Sequence, residues 1–408
     1  MSSPQKTEPG VDQPGTSHPR GLRANALRIG DVVILSLASS GPTQSIAVTL
    51  AALLATVGYA SFLPLLICFI PMLVVAALGI KLSARFQWGW AILEYGLLIG
   101  FTIAAIVGIY GGHLSHTVHL TSSWFTLSGA GGFKALISGV LLAIFLYSGW
   151  DTAAYVGEEA KGKQAGPAAI TSVVLLFFIY TIVILAFQGV APNHVMQAHA
   201  ANILAYVGQL IGGSFWKQLM IVAVLGGTLA SLQAAIVSSA RISFAMGRDR
   251  VFPRWFGVVN EQHRTPWNAT ILLGLLNVVF LWGSTLIGSI GQALDDIAST
   301  LGLMAAIFYL LTAFTAVWYY RRTITQNASN FILGGILPGL GAAFMAFVII
   351  YSLATDSLNG VEIAFGFGAA LIGLILSFIS QRVGKSGFYS EPTASHGDTV
   401  EAELAGSA

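Results

Sequence analysis

Charged side chains are scarce in this chain. Asp, Glu, Lys and Arg make up 9% of its 408 residues, whereas hydrophobic residues make up 55% and the mean hydropathy is +0.77. Soluble domains carry about 25% charged residues, and a chain this apolar has too few polar side chains to cover its surface in water. A water-soluble globular protein is therefore excluded, and lipid must be part of the solvent. The net charge of +2 is also too small to indicate nucleic acid as a partner.

Cysteine and the usual catalytic motifs are missing as well. Cys68 is the only cysteine, which excludes an intrachain disulfide and a cysteine-based metal site. His113, His116 and His119 recur at a spacing of three in the loop 111–131, where a solvated loop is favoured over a metal site. The sequence contains no HEXXH motif, no convincing nucleophile–base pair and no glycine-rich phosphate loop. We therefore expect neither enzymatic activity nor a cofactor.

Long apolar runs are what the sequence does contain. A helix needs about 20 apolar residues to cross the hydrocarbon core of a bilayer. Ten runs meet this requirement, at 30–56, 59–80, 88–110, 132–157, 167–191, 217–245, 267–288, 297–318, 331–354 and 361–381. They are apolar around most of their circumference, which favours helices over a β-barrel. The sequence thus predicts an all-α polytopic membrane domain over 30–381, between disordered cytoplasmic tails at 1–29 and 382–408.

The basic residues are distributed unevenly between the two sides of the membrane. An even number of spans puts both termini on one side, and that side carries all 19 Lys and Arg residues except Lys134 and Lys217. Cytoplasmic loops of membrane proteins are enriched in Lys and Arg. A wrong span count would distribute the basic residues over both sides of the membrane. Their concentration on one side therefore supports both the count of ten and cytoplasmic termini. The expected location is the plasma (inner) membrane.

Two of the spans contain helix-breaking residues. The first span carries Gly41 and Pro42 among hydroxyl residues, and the proline removes a backbone donor and clashes with the preceding turn. The fourth span carries Gly149 between Ser148 and Trp150. Backbone groups freed at membrane depth need polar partners, and carriers place substrates at such discontinuous helices. We interpret the breaks as parts of a substrate site, the alternative being simple kinks tolerated by neighbouring helices.

Two carboxylates lie well inside predicted spans, away from the span ends, Glu94 in the third and Asp151 in the fourth. Ionisable side chains inside a membrane are costly and indicate a functional role by default. For Glu94 the alternative is a structural carboxyl whose hydrogen bonds are satisfied. For Asp151 the alternative is solvation near the cytoplasmic end of the span, together with Glu158 and Glu159.

Several segments resemble the amino acid–polyamine–organocation (APC) permeases, a superfamily with the LeuT-like fold. The most specific is the segment 241–249 followed by Phe252-Pro253, which is similar to the cytoplasmic motif after the family's eighth helix. The segment 145–158 is similar to the family's broken sixth helix. Further similar segments are 81–87, Gly30-Asp31 and Thr265-Pro266. The resemblance covers nearly all of 24–382 and implies a LeuT-like fold, with the first span and the sixth-helix equivalent broken, that transports an amino acid or related amine.

The chain departs from this family in two places. Family members usually have twelve spans, whereas residues 74–81 here run directly from the second helix into the lead of the family's fifth. The third and fourth helices of the family are therefore missing. Because two spans are removed together, each later loop stays on the same side of the membrane as in the family. The first span also has Ser39-Ser40-Gly41-Pro42 in place of the family's Gly-Ser-Gly-type break.

The resemblance implies a substrate site at the two breaks. Its expected residues are Ser39, Ser40, Gly41, Thr43, Phe145, Tyr147, Ser148, Gly149, Trp150 and Asp151. The substrate's carboxylate would meet backbone amides of the first span, and its amine would meet carbonyls and hydroxyls of the fourth. Tyr147 or Trp150 would cover the site as an aromatic gate, or else pack the bundle. The loop 246–266 would gate the cytoplasmic side or serve as a positive anchor.

The resemblance also gives Glu94 a possible role in coupling. It falls where many members carry a lysine in the fifth helix, whose ammonium stands where sodium-coupled relatives hold a sodium ion. A carboxyl there would carry a proton or hold a cation. The prediction is proton-coupled uptake of an amino acid or amine, and the alternatives are amino acid exchange and a transport-dead, internally deleted member that at most binds ligand. The sequence indicates no oligomeric state.

Overall fold

The computed structural model describes residues 22, 24–40, 80–127, 129, 132–199, 202–284, 290–383 and 389. Within these ranges the regular secondary structure is helical, and β-pairing is limited to isolated bridges between Leu27 and Ala160 and between Asn260 and Thr265. The predicted all-α class is confirmed.

The described α-helices follow one another along the chain with short connections. They are α1 Ile29–Ser40, α2 Ile80–Tyr110, α3 Phe133–Tyr147, α4 Thr152–Tyr155, α5 Ala165–Gln188, α6 Asn193–Ala198, α7 Ile203–Arg248, α8 Trp267–Ser284, α9 Ile290–Tyr320, α10 Ala328–Asn330, α11 Leu337–Ala354 and α12 Gly360–Val383. Single 3₁₀ turns lie at Ser122–Phe125, Gly157–Glu159 and Arg254–Gly257, and a π-helical turn at Phe331–Ile336 joins α10 to α11.

Most of the predicted spans overlap a described helix. Seven helical stretches in the described part of the chain are long and apolar enough to cross a membrane, with α3 and α4 counted as one stretch and α10 to α11 as another. Two shorter apolar helices, Ile29–Ser39 and Trp267–Leu276, accompany them. The predicted span 59–80 lies outside the described residues apart from Ile80, as does the first span beyond Ser40. The chain is a multi-pass membrane protein.

The outer helices present apolar side chains away from the bundle. On α12, Leu371, Ile372 and Leu374 are each more than half exposed, and so is Leu340 on α11. A continuous apolar surface of this kind would be unstable in water. In lipid it is the expected outer face of a spanning helix, so these side chains mark the lipid-facing side of the bundle.

The described helices pack as two groups. In one, α7 packs along α2, and α1 lies against α2, α5 and α7. In the other, α9 packs against α3, α11 and α12. Small residues permit close approach between membrane helices. Gly226 of α7 faces the ring of Trp90 on α2, and a methyl group at Gly302 of α9 would overlap the Leu141 carbonyl oxygen on α3.

Helix α7 is too long to be a single straight span. Its 46 residues would extend about 69 Å at 1.5 Å per residue, against a hydrocarbon core of about 30 Å. Gly212 and Gly213 interrupt it with non-helical backbone angles, and Gly213 has φ 76°, which side chains with a Cβ rarely adopt. The predicted sixth span, 217–245, lies wholly after this kink.

The chain just before α1 is ordered, although the sequence predicts a disordered tail over 1–29. Leu27 is 1% exposed. Its N–H donates to the Glu159 carbonyl at 2.9 Å, and its carbonyl accepts from Lys161 N at 2.8 Å. Burial of the leucine together with two backbone hydrogen bonds holds the segment before the membrane helix against the protein. Residues 1–21 and 390–408 lie outside the described part of the chain.

Candidate functional site

The fourth predicted span is interrupted at the residues that the sequence singles out. Helix α3 ends at Tyr147, and α4 begins at Thr152. Gly149 between them has φ 102°, a backbone conformation that favours glycine. Ser148 closes the end of α3, because its N–H and its hydroxyl both donate to the Phe145 carbonyl, at 3.0 and 2.6 Å.

A cavity of about 430 Å³ opens at this interruption. Its size falls in the range of small-molecule sites. The predicted substrate-site residues on its wall are Ser39, Phe145, Ser148, Gly149 and Asp151. Ser39 comes from the last turn of α1, so the cavity wall joins the ends of α1 and α3, although Ser39 and Phe145 are more than a hundred residues apart in the sequence.

A second part of the cavity wall is a face of α9. It consists of Leu301, Met304, Ala305, Phe308 and Tyr309. These positions recur with the i, i+3, i+4 spacing of one helical face. The sequence analysis missed this wall because α9 is apolar on several sides, so periodicity does not distinguish a cavity-facing stripe from a lipid-facing one. The only local signal is Gly302, which lets α9 approach α3 closely.

The two aromatic residues predicted as a gate do not line the cavity. The Tyr147 ring packs edge-on against Tyr180 of α5, with centroids 5.2 Å apart. The Trp150 ring stacks on Tyr309 at 5.9 Å and 24°. Tyr147 therefore packs the bundle in this conformation, whereas Trp150 supports a residue that does line the cavity.

Asp151 brings a carboxylate to the cavity wall. It is partly buried, and its Oδ2 accepts a hydrogen bond from the Tyr155 hydroxyl one helical turn later. The neighbouring α3 carbonyls are already engaged. The Phe145 carbonyl accepts two hydrogen bonds from Ser148, and the Leu146 carbonyl accepts the Tyr180 hydroxyl at 3.0 Å. Two carbonyls beside the break thus already accept hydrogen bonds within the protein, and the Asp151 carboxylate is the charged acceptor beside them.

Glu94 is 1% exposed and does not line the cavity. It lies on α2 within electrostatic range of Tyr95 and Tyr180. Tyr180 donates a hydrogen bond to the Leu146 carbonyl, and Leu146 lines the cavity. Tyr180 therefore connects the neighbourhood of Glu94 to the cavity wall.

Part of the predicted site lies outside the described residues. This applies to Gly41 and Thr43 and to the side chain of Ser40. The described end of α1 is held by α7, because the Ser231 hydroxyl donates to the Ser39 carbonyl at 3.3 Å. Beneath it, Gln87 of α2 donates to the Ala230 carbonyl at 2.6 Å and also to the Gln233 side chain. The Ser231 hydrogen bond thus ties the Ser39 backbone to α7, and the Gln87 hydrogen bonds tie α7 to α2.

A buried ion pair lies at the end of the turn after α4. Arg241 Nε of α7 and Glu159 Oε2 are 2.7 Å apart, and the two side chains are 1% and 0% exposed. Glu159 is therefore not a solvated carboxylate. Glu158 is exposed and pairs with Arg248 at 2.9 Å. Arg241 opens the segment that carries the family resemblance, but the sequence does not indicate its partner, which lies 82 residues away.

Comparison with known proteins gives one family and several relatives. Residues 30–377 match the amino acid permease family. The branched-chain amino acid permease BcaP of Bacillus subtilis (strain 168) is 28% identical over 256 residues, which cover 62% of this chain and 51% of BcaP. The arginine/ornithine antiporter ArcD1 of Lactococcus lactis subsp. cremoris (strain MG1363) is 23% identical over 62% of this chain and 49% of ArcD1. The serine/threonine exchanger SteT of Bacillus subtilis (strain 168) is 26% identical over 56% of this chain and 52% of SteT. The chain thus spans about half the length of these curated relatives.

Proposed function

We propose, because this chain belongs to the amino acid permease family, that it carries an amino acid or related amine across the membrane. The observation that carries the proposal is the cavity at the interrupted fourth span, whose wall includes five of the residues that the sequence predicts for a substrate site. The relatives support it, since their names describe a permease, an antiporter and an exchanger of amino acids.

The chemistry of the cavity suits a small molecule with one polar end. Ser39, Ser148 and Asp151 supply hydroxyls and a carboxylate on one side, and the α9 face supplies hydrocarbon on the other. A substrate amine would dock at Asp151, while its apolar portion would lie on α9. A substrate carboxylate would meet backbone amides near Ser40, Gly41 and Thr43, which lie within the four residues after Ser39 in the chain.

The proposed coupling is to protons, through Glu94. We assign the exchange of the coupled proton to this carboxyl, which is buried on α2 and connected through Tyr180 to the cavity wall. Uptake driven by a proton gradient is the primary form of the proposal. Exchange of one amino acid for another is the second candidate, favoured by the antiporter and the exchanger among the relatives.

The proposed location is the plasma (inner) membrane, with both termini in the cytoplasm. The uneven distribution of Lys and Arg supports this orientation. The family is one of membrane transporters, and we propose no enzymatic activity for this chain.

The test is uptake into proteoliposomes from a panel of labelled amino acids and amines, with and without an inward proton gradient. Gradient-stimulated uptake is expected for at least one panel member. Uptake that depends only on substrate loaded inside the vesicles would support exchange instead. Binding to purified, folded protein without any flux would overturn transport and favour the transport-dead alternative.

A further inference from the structure

The arginines at the ends of the long helices fall into two classes. At the end of α7, Arg241 and Arg248 each pair with a carboxylate, at 2.7 and 2.9 Å. Three other arginines, at or just after the ends of α9 and α12, are exposed, and within the described residues they form no ion pair. These unpaired residues are Arg321, Arg322 and Arg382.

The sequence around the unpaired arginines is free of acidic residues. No Asp or Glu occurs between Asp296 and Asp356, or between Glu362 and Glu391. The second half of α9, the connection to α11 and nearly all of α12 therefore carry positive charge without a local counter-charge. A surface with this charge attracts anions from its surroundings.

Two of the unpaired arginines fold back over an aromatic ring of their own helix. The Arg321 Cζ atom lies 4.3 Å from the centroid of the Trp318 ring, and the Arg382 Cζ atom lies 5.0 Å from that of Phe378. Both rings are more than half exposed on the lipid-facing surface. Because aromatic rings at the ends of spanning helices lie at the level of the lipid headgroups, they hold the two guanidinium groups at that level.

Each of the two helices also carries an exposed apolar stripe that leads to an arginine. The stripe residues are Leu311, Phe314 and Trp318 on α9, and Leu371, Leu374 and Phe378 on α12. All six side chains are more than half exposed, and steps of three and four residues keep them on one face of the helix. The next step of four residues reaches Arg322 after α9 and Arg382 on α12.

The ends that carry the arginines emerge on the same side of the membrane and at similar depth. The stretches α9, α10 to α11 and α12 are each long enough for one crossing, so α9 and α12 run in the same direction. The two helices pack together, and Leu303 of α9 lies against Gly366 of α12. These two residues are equally far along the chain from the last residues of their helices, Tyr320 and Val383.

We propose that the ends of α9 and α12 bind anionic phospholipid, with the lipid phosphate on the unpaired guanidinium groups and the acyl chains along the two stripes. A guanidinium group presents a planar fork of donors that matches phosphate oxygens. The continuity of each stripe with its arginine favours a lipid over a soluble anion, which has no hydrocarbon to place there. The inference goes beyond the proposed transport function and does not depend on it.

The headgroup gives the expected preference. Phosphatidylcholine brings the same phosphate and the same chains, but its choline cation neutralises the phosphate and would be repelled by the uncompensated arginines. Phosphatidylglycerol keeps a net negative charge. The protein should therefore bind phosphatidylglycerol more tightly than phosphatidylcholine with identical acyl chains.

The test is native mass spectrometry of the full-length protein in detergent, titrated with each of these two lipids. The triple variant Arg321→Gln, Arg322→Gln and Arg382→Gln should weaken phosphatidylglycerol binding at least about fivefold and leave phosphatidylcholine binding unchanged. Fivefold corresponds to about 1 kcal/mol, the usual contribution of one basic residue at an anionic surface. The lysine versions of the three substitutions keep the charge and should retain the preference, so they provide the test if the glutamine variant does not fold.

The matched control removes three exposed arginines elsewhere on the same side of the membrane, through Arg85→Gln, Arg250→Gln and Arg254→Gln. Phosphatidylglycerol binding should stay within about twofold of the unmodified protein. An equal loss in both triple variants would assign the preference to the overall charge of this side and would overturn the proposal.

Two further outcomes would also overturn it. One is equal binding of the two lipids by the unmodified protein. The other is displacement of phosphatidylglycerol when ammonium phosphate replaces ammonium acetate at the same ionic strength, because the arginines would then form a site for free phosphate. None of these measurements involves a transported substrate, so each result leaves the proposed transport function to its own test.

Discussion

Arg241 and Glu159 form an ion pair that is almost completely shielded from solvent. Desolvating two charges is costly, and the pair is tolerated because its geometry is good and because Arg241 also donates to the Val237 carbonyl at 3.2 Å. Arg248 and Glu158 make a similar contact nearby, but both side chains are nearly half exposed. The two pairs thus join the same segments of the chain in very different environments.

This contrast predicts different costs for removing each arginine. Arg241→Ala leaves Glu159 buried without its counter-charge and should lower the free energy of unfolding by about 3–5 kcal/mol. Arg248→Ala, the matched control, should cost less than about 1 kcal/mol. Unfolding in detergent or bicelles measures both. The combined change Arg241→Met and Glu159→Leu should recover most of the loss, and equal effects of the two single alanine variants would contradict the prediction.

Glu94 gives the second prediction at this scale. Glu94→Gln preserves the size of the side chain and removes its ability to exchange a proton. Uptake with an inward proton gradient should fall to the level seen without a gradient, while exchange between internal and external substrate should continue. Glu261→Gln, in an exposed loop, is the control and should leave the stimulation by the gradient unchanged. Stimulation that persists in Glu94→Gln would exclude Glu94 as the coupling residue.

At the scale of elements, α9 determines the shape of the cavity. One of its faces lines the cavity, and its outer face contacts lipid, with Leu311 and Phe314 each about 60% exposed. Both faces consist mainly of apolar residues, although one lines the cavity and the other faces lipid. The close contact at Gly302 sets the separation between α9 and α3, and hence the width of the cavity between them.

A bulky substitution on each face of α9 separates these two roles. Met304→Trp places a large ring in the cavity and should abolish binding and uptake while the protein still folds. Leu311→Trp adds similar bulk on the lipid-facing side of the same helix and should leave uptake within about twofold of the unmodified protein, because surface substitutions are usually tolerated. The measurements are proteoliposome uptake and thermal unfolding. Full activity in Met304→Trp would show that this cavity is not the substrate site.

The contact between α9 and α3 gives a second prediction for this element. Gly302→Ala should push the helices apart and lower the free energy of unfolding by about 1–3 kcal/mol, the range for overpacking. Gly368→Ala on α12 is the matched control, since a methyl group there meets open space. That change should be neutral or slightly stabilising. A neutral Gly302→Ala would mean that the two helices can move apart at little cost.

At the scale of the whole molecule, the chain passes between its two packing groups at the interruption of the fourth span. Helix α3 packs with α9 and α11, while α4 packs with α1, α5 and α7. The cavity takes its wall from both groups, with Ser39 on one side and the α9 face on the other. A relative movement of the two groups would therefore change the cavity directly, as alternating access requires.

The orientation of the whole chain is predicted by its basic residues. In a Cys68→Ser background, Ser123→Cys should react with a membrane-impermeant maleimide in intact cells, because the loop 111–131 is expected on the outside. Glu261→Cys should react only after the cells are permeabilised. Both positions are exposed, so a difference reports the side of the membrane. Reaction of Glu261→Cys in intact cells would contradict cytoplasmic termini.

Local patterns in the sequence were sufficient to predict several features of this protein. The shortage of charge and the length of the apolar runs determine a helical membrane protein, because lipid penalises every unpaired backbone group and favours helices. Gly149 determines where the fourth span breaks, because its backbone conformation disfavours other residues. Asp151, one helical turn before Tyr155, is conspicuous because a carboxylate inside a span is costly.

Only the tertiary structure decided which distant groups meet. The cavity-facing side of α9 and the packing of Tyr147 against Tyr180 depend on which helices become neighbours, and an apolar helix carries no local signal for this. The pairing of Arg241 with Glu159 likewise joins residues 82 positions apart. In lipid, the apolar side chains of a helix can face either a neighbour or the membrane at similar cost, so close packing and the few buried polar contacts make that choice.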